Sequence, residues 1–421
     1  FRSFAASVVY LIAGLAMIAG LWFAAPALAS WLQAPRVAEY LPGALLGIGI
    51  RRIGAIPDKL LAREMRFGRI AAGTALGDIV YAIVAVTLVS TTTLGGHSMI
   101  LAFIAQSTVI AGVTLSATGL SSWLAPARIP LARLRDLLRF GAPITGEIVL
   151  SEGARYWDKP LMLRLVGAHE AGSYGLAFNL AQLPAVYVGG HIGTVMMPAM
   201  VRADPAARPA LMVRALTFTA LVVFPMSAGL AVCATTLVEA LLPPTWAQVA
   251  PLLSVLAIAS LPGPGSFILS AFLAAHGRNH RLMWIEVATM ASLVAALWSL
   301  SKGGVLCAST AIGVAALVQW VLTVRACRMD GLRLSGLSPA LLRIASASVA
   351  MALAVLVCRW ALGPAMGAPW RLAAEVLVGV VVYGVGLWGF ARDLVGDALA
   401  GIGVSRSRIP GIRTRQGEGT S

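Results

Sequence analysis

Charge is scarce in this chain. Only 12% of its 421 residues are Asp, Glu, Lys or Arg, against about 25% in a typical soluble domain. Hydrophobic residues make up 59%, and the mean hydropathy is +0.85. Together these exclude a soluble globular protein and a protein with a single anchor, and leave a polytopic membrane protein. Cysteine is also rare. Cys233, Cys307, Cys327 and Cys358 lie in or beside apolar runs with no CxxC spacing, so neither a disulfide framework nor a zinc site is expected. A GxxxxGK[ST] phosphate loop is missing, which excludes an ATP site in this chain. Gly263-Pro264-Gly265 reads as a helix break and not as a dinucleotide loop. His276 and His280 are four apart in a basic turn without an acidic or Cys partner, so no metal site follows. No cofactor is expected.

Apolar runs fill the space left by these absences. About 20 apolar residues cross a bilayer core, and on that rule twelve spans are expected. They fall at 4–25, 37–57, 69–90, 98–122, 138–165, 172–199, 211–233, 248–275, 281–300, 304–328, 341–361 and 371–391. The net charge of +15 would suggest nucleic acid in a soluble protein. Here it sorts by side: 23 basic residues fall on one side of the expected spans and 5 on the other. By the positive-inside rule the basic loops and the C-terminus are cytoplasmic, and no nucleic-acid partner is expected.

A repeat is also visible. A shift of 215 residues lays Ala13–Ala16 on Ala228–Ala231, Trp31 on Trp246, Arg63 on Arg278 and Arg66 on Arg281. Both copies start on the cytoplasmic side, which makes the repeat parallel. The expected organisation is an all-α protein of two pseudo-symmetric six-helix lobes around a central cavity. The N-terminal lobe covers 1–122 and a basic amphipathic linker 123–137, which would lie on the anionic leaflet. The C-terminal lobe covers 138–328, an additional helix pair 329–395, and a disordered tail 396–421. The chain begins at Phe1 inside a stretch that already reads as a span, and the first lobe shows four spans against six. Two further spans are therefore expected upstream, for fourteen in all.

Candidate functional residues are the charges inside apolar spans, which cost ~2.5–3.5 kcal/mol each at the bilayer centre and normally face a protein interior or wet cavity. The richest span is 138–165, with Glu147, Glu152, Arg155, Asp158 and Lys159. At ~100° per residue these five share well under half of the helix circumference. Asp158 and Lys159 also fit snorkelling to the outer interface, and Glu152 with Arg155 fits a structural i, i+3 pair. Pro160 cannot donate to the Tyr156 carbonyl and loosens the helix beside them. Arg51 and Arg52 suit either a diphosphate or cytoplasmic headgroups. Asn179, Gln182 and His191 suit either sugar hydroxyls or interhelical hydrogen bonds. Asp78 and Glu286 are single acids in apolar spans, and each suits either ion coupling, since desolvation favours the protonated carboxyl, or a satisfied interior partner.

Four stretches carry a family resemblance: LLAREMRFGR (60–69), LRDLLRFGAPI (134–144), YWDKPLMLRLVGAHEAGSYGLAFNLAQLP (156–184) and WAQVAPLLSVLAI (246–258). They are similar to the Wzx-type polysaccharide flippases of the multidrug/oligosaccharidyl-lipid/polysaccharide exporter superfamily, over about 1–330. The resemblance implies a bacterial inner-membrane transporter, not an enzyme. Such proteins move an undecaprenyl-diphosphate-linked oligosaccharide repeat unit across the membrane by alternating access, for O-antigen, capsule or exopolysaccharide. It also implies polysaccharide polymerase and chain-length machinery as partners. On that reading Arg155, Lys159, Arg51 and Arg52 hold the diphosphate, and Glu147, Glu152 and Asp158 tune the site. The first rival is a cation-coupled multidrug exporter of the same superfamily, which would favour acids over bases in its cavity. A membrane glycan polymerase or ligase is a further rival, but it needs a large periplasmic loop and none is present.

Overall fold

The computed structural model describes residues 2–118, 156–185, 207–332, 336–363 and 366–390, together with 135, 153, 204 and 334. They divide into two compact units, 1–146 and 147–421. Among the described residues every element is helical. Eight helical stretches are long and apolar enough to cross a membrane, and Asn279–Met329 contains two consecutive helices.

The first unit holds α1 (Arg2–Trp31), α2 (Arg36–Arg63), α3 (Phe67–Thr91) and α4 (Gly96–Thr118). Helix α4 is wedged between α2 and α3, and α1 packs on α2. Small residues permit the close approach, as is usual between helices that have no hydrophobic drive to associate in lipid. Gly47 faces the Phe103 ring, and a Cβ on Gly54 would stand 2.8 Å from the Ala111 Cα. Ala102, Ser107 and Ala111 are buried on the facing side of α4.

The second unit runs through α5 (Asp158–Val166), α6 (Ala168–Ala181), α7 (Arg208–Leu241), α8 (Val249–Ala259), α9 (Gly263–Ala275), α10 (Asn279–Leu300), α11 (Gly304–Met329), α12 (Leu337–Leu362) and α13 (Ala368–Phe390). The expected spans at 211–233, 281–300, 304–328 and 341–361 each lie within one helix, as do 4–25, 37–57 and 69–90 in the first unit. The span expected at 248–275 is two helices, α8 and α9, separated at Ser260–Pro262. Pro264 has no N–H for the Ser260 carbonyl, which instead accepts from Gly263 N at 3.1 Å. Gly265 is obligatory beside this break, because a Cβ there would run into the Trp320 ring. One apolar core joins α5, α6, α7, α8, α10 and α11 around Tyr174, Leu253, Leu256 and Leu297. A second, around Met212, Ile268, Leu269 and Phe272, joins α7, α9, α10, α11 and the start of α12.

Helices α12 and α13 pair with each other and pack on α7. Pro225 inside α7 leaves the Leu221 carbonyl without its helical donor. The Tyr383 hydroxyl of α13 donates to that carbonyl at 2.7 Å. Further along, Arg359 Nη1 donates to the Val232 carbonyl at 3.0 Å, and Arg371 pairs with Glu239. The last helix pair is thus fastened along the length of α7 by polar contacts that lipid could not replace.

The two units share one turn. Met65 (φ 57°) and Gly277 (φ 69°) are both left-handed, and each is followed by an arginine whose N–H bonds five residues back: Arg66 to the Leu61 carbonyl and Arg278 to the Leu273 carbonyl, both at 2.9 Å. The same turn also closes at Gln33, where Ala34 N bonds the Ala29 carbonyl, and at Gly331, where Leu332 N bonds the Cys327 carbonyl, both at 3.0 Å. It is a common helix ending and sets no register for the repeat.

Candidate functional site

The span 138–165 enters the description only near its end. Glu147, Glu152 and Arg155 lie outside the described residues, as do His191, the tail 396–421 and, apart from Arg135, the linker 123–137. The helix loosens at Trp157, immediately before α5 begins. Pro160 explains this, since it cannot donate to the Tyr156 carbonyl. Gly167 (φ 95°) then turns the chain from α5 into α6. That conformation strains any residue with a Cβ, and it lays α6 against α5.

This hairpin makes the site. Asp158 is 2% exposed. Its Oδ2 accepts the Tyr174 hydroxyl of α6 at 2.8 Å, and its Oδ1 lies 3.7 Å from Lys159 Nζ. Lys159 is held over two aromatic faces, 4.1 Å from the centre of the Phe178 ring and 5.0 Å from that of Tyr156. Its Nζ makes no hydrogen bond among the described residues. An ammonium over aromatic faces gains ~0.5–2 kcal/mol while keeping its N–H donors.

Tyr156, Asp158, Lys159 and Phe178 line a cavity of about 470 Å³ within the second unit. Asn179 and Gln182 of the α6 segment line it too, as do Ser260 and Gly263 at the break between α8 and α9. Irregular backbone at membrane depth is tolerated where it borders such a cavity. Gln319 of α11 completes the wall and donates to Glu286 Oε1 at 2.9 Å. The structure thus brings Asp158, Lys159, Asn179 and Gln182 together, with Glu286 one hydrogen bond behind.

The remaining candidates belong to the first unit. Arg52 lies over the Tyr10 ring at 4.6 Å, with room left by Gly14, while Arg51 is exposed. Asp78 accepts from Gln106 Nε2 at 2.7 Å. Asp78–Gln106 joins α3 to α4, and Glu286–Gln319 joins α10 to α11. Among the described residues each unit thus has one acid–amide pair, on the hairpin that follows Arg66 in the first and Arg278 in the second.

Sequence reasoning missed Tyr174, Phe178 and the two glutamines, because their partners lie one hairpin away. It also missed Glu375. That residue is 0% exposed and accepts from Thr236 Oγ1 at 2.8 Å. The signal that singles out Asp78 and Glu286, one acid in an apolar span, finds Glu375 equally well. Among the described residues no three His, Cys, Asp or Glu side chains are grouped to hold a metal ion.

A helical bundle with a broken helix beside a charged, aromatic-walled cavity is the fold of a polytopic membrane protein, and the backbone of this chain has a solved counterpart. It superposes on the lipid II flippase MurJ in its inward closed conformation with a TM-score of 0.77 and 16% identity, over 94% of this chain and 85% of that one. The profile of the family described as "Polysaccharide biosynthesis protein" matches residues 5–251, more than half of the chain, and the chain belongs to that family. The lipopolysaccharide biosynthesis protein WzxC of Escherichia coli (strain K12) is 27% identical over 133 residues. That alignment covers 31% of this chain and 27% of WzxC, so the chain matches about a quarter of that relative's length. The resemblance to the Wzx-type flippases is borne out.

Proposed function

We propose that the protein translocates an undecaprenyl-diphosphate-linked oligosaccharide repeat unit across the bacterial inner membrane for surface polysaccharide synthesis. It works as a transporter and not as an enzyme. The observation that carries this reading is the cavity around Lys159, whose Nζ has unfilled donors in a wall that also contains Asn179, Gln182 and Gln319. A cation with free N–H groups suits a diphosphate, and amides suit sugar hydroxyls. Beside it runs an apolar groove of about 680 Å³ between α7, α12 and α13, and Leu183 borders both. A polar chamber next to an apolar one supports an amphiphilic substrate with its glycan in the first and its isoprenoid chain in the second. Asp158 lowers the net charge of the polar chamber, so an anionic headgroup is held and also released.

On this reading Arg51, Arg52 and Arg155 add to diphosphate binding, with Glu147 and Glu152 tuning it. The pairs Asp78–Gln106 and Glu286–Gln319 are the candidates for ion coupling during alternating access. The excess of basic residues in alternate connections supports a cytoplasmic C-terminus. Polysaccharide polymerase and chain-length machinery are the partners expected to receive the product.

The test is Lys159→Ala in the full-length protein, expressed in a deletion strain. Surface glycan should fall and lipid-linked repeat units should accumulate, with membrane insertion unchanged. Normal glycan with no accumulation would sink the assignment.

A further inference from the structure

The groove between α7, α12 and α13 is almost wholly apolar, with walls that include Met226, Leu230, Val355, Val376 and Gly384. Glu375 of α13 is the exception. Its side chain borders the groove and is fully buried, with Oε1 bonded to Thr236, while Oε2 accepts no hydrogen bond among the described residues. Of the cations in this region, Arg359 donates to the Val232 carbonyl and Arg371 pairs through Nη2 with Glu239, while Arg371 Nε, like Glu375 Oε2, has no hydrogen-bond partner among the described residues. The thiol of Cys233 stands beside the carboxyl and brings no positive charge.

An acid oxygen with no donor at membrane depth is costly. An apolar chain alone, such as the isoprenoid placed in this groove above, would leave it so. The complementary ligand has an apolar body for the walls and one N–H-bearing cation for Oε2. A phospholipid fits poorly. Glu375 lies seven residues into α13, about 10 Å from its start at 1.5 Å per residue, whereas an ethanolamine head stays at the interface with its phosphate.

We infer that this groove is a second ligand site, which binds lipophilic amines: a protonated amine on a wholly apolar body, donating to Glu375 Oε2. The inference does not rest on the glycan reading of the Lys159 cavity, which contains its own cation and would repel such a ligand. It places the chemistry of the rival drug-exporter reading, acid and apolar wall, at a site separate from that cavity. An amine seated here would compete with the isoprenoid chain for the same volume.

The experiment measures binding of a protonated diphenylalkylamine, and of its uncharged carbon isostere, to the full-length protein in lipid nanodiscs by calorimetry. The wild type should bind the amine and prefer it to the isostere. Glu375→Gln should weaken amine binding roughly tenfold or more, the usual loss for one hydrogen bond to a charged group, and abolish the preference. Gly384→Leu guards against a folding artefact, because a Cβ at Gly384 meets nothing within 4 Å and a leucine there fills the groove without touching the carboxyl. It should weaken the amine and the isostere alike. Equal affinity for the two ligands in the wild type, or amine binding unchanged in both variants, would overturn the inference. A Lys159→Ala variant that loses glycan export yet binds the amine normally would separate this site from the one proposed for the glycan carrier.

Discussion

Asp158 and Glu375 are both buried acids of the second unit, yet of the two only Asp158 has a cation within 4 Å among the described residues, Lys159 at 3.7 Å. Asp158 also accepts a phenol hydroxyl, lies among amides and faces a polar chamber. Glu375 accepts one threonine hydroxyl, has the Cys233 thiol beside it and otherwise borders a largely apolar groove. On the two proposals made above the same functional group serves opposite ends: beside Lys159 it moderates a site for an anion, and in a largely apolar groove it becomes the site for a cation. The surroundings of an acid decide its ligand, and those surroundings are tertiary.

The sharpest way to break this contrast is to remove the compensating group from each acid in turn. Lys159→Met strands a buried carboxylate and should lower stability by about 3 kcal/mol. That is the low end of the range for breaking a buried pair, because the Lys159 side chain is still 34% exposed. Glu375→Leu removes an acid that already lacks a partner for one oxygen, and should be neutral or mildly stabilising. Thermal unfolding of both variants in nanodiscs checks the pair. A loss for Glu375→Leu as large as that for Lys159→Met would mean that the groove is a structural polar site after all.

A smaller effect sharpens the role of the helix pair that forms the groove. Tyr383→Phe leaves the Leu221 carbonyl, freed by Pro225, without its donor, and should cost ~1–3 kcal/mol. In a Pro225→Ala background the restored backbone N–H takes that carbonyl, and the cost of Tyr383→Phe should shrink. A double-mutant cycle by thermal unfolding measures this coupling; additivity would show that proline and tyrosine act separately.

The smallest expected effect compares the two units. Gln106→Leu and Gln319→Leu each remove one interhelical hydrogen bond, for which ~0.6 kcal/mol is usual in membrane helices. If the two acid–amide pairs serve the same purpose, both variants should slow glycan export while barely changing the unfolding temperature. A defect in export from only one of them would show that the units have diverged in role.

Much of the fold was legible because a bilayer reads length and hydropathy one segment at a time. The 248–275 span was legible too, but its division into two helices depends on Pro264 and on the space that Gly265 leaves for Trp320. The site was half legible. Single charges in apolar runs pointed to Asp158, Lys159 and Glu286, and amides to Asn179 and Gln182. Their partners were not, because Tyr174 meets Asp158 only after Gly167 turns the chain. Phe178 reaches Lys159 through that same hairpin, and Gln319 reaches Glu286 through the next.

By itself, then, the sequence determined that the chain crosses a membrane many times, where most spans lie, and which charges needed a reason to be there. Composition and run length suffice for that, since each span must satisfy the bilayer alone. Only the tertiary structure decided which charges meet. It put Lys159 over two rings beside a paired acid and left Glu375 Oε2 without a hydrogen-bond partner among the described residues. These outcomes depend on contacts between helices far apart in the chain, and no local pattern encodes the distance between them.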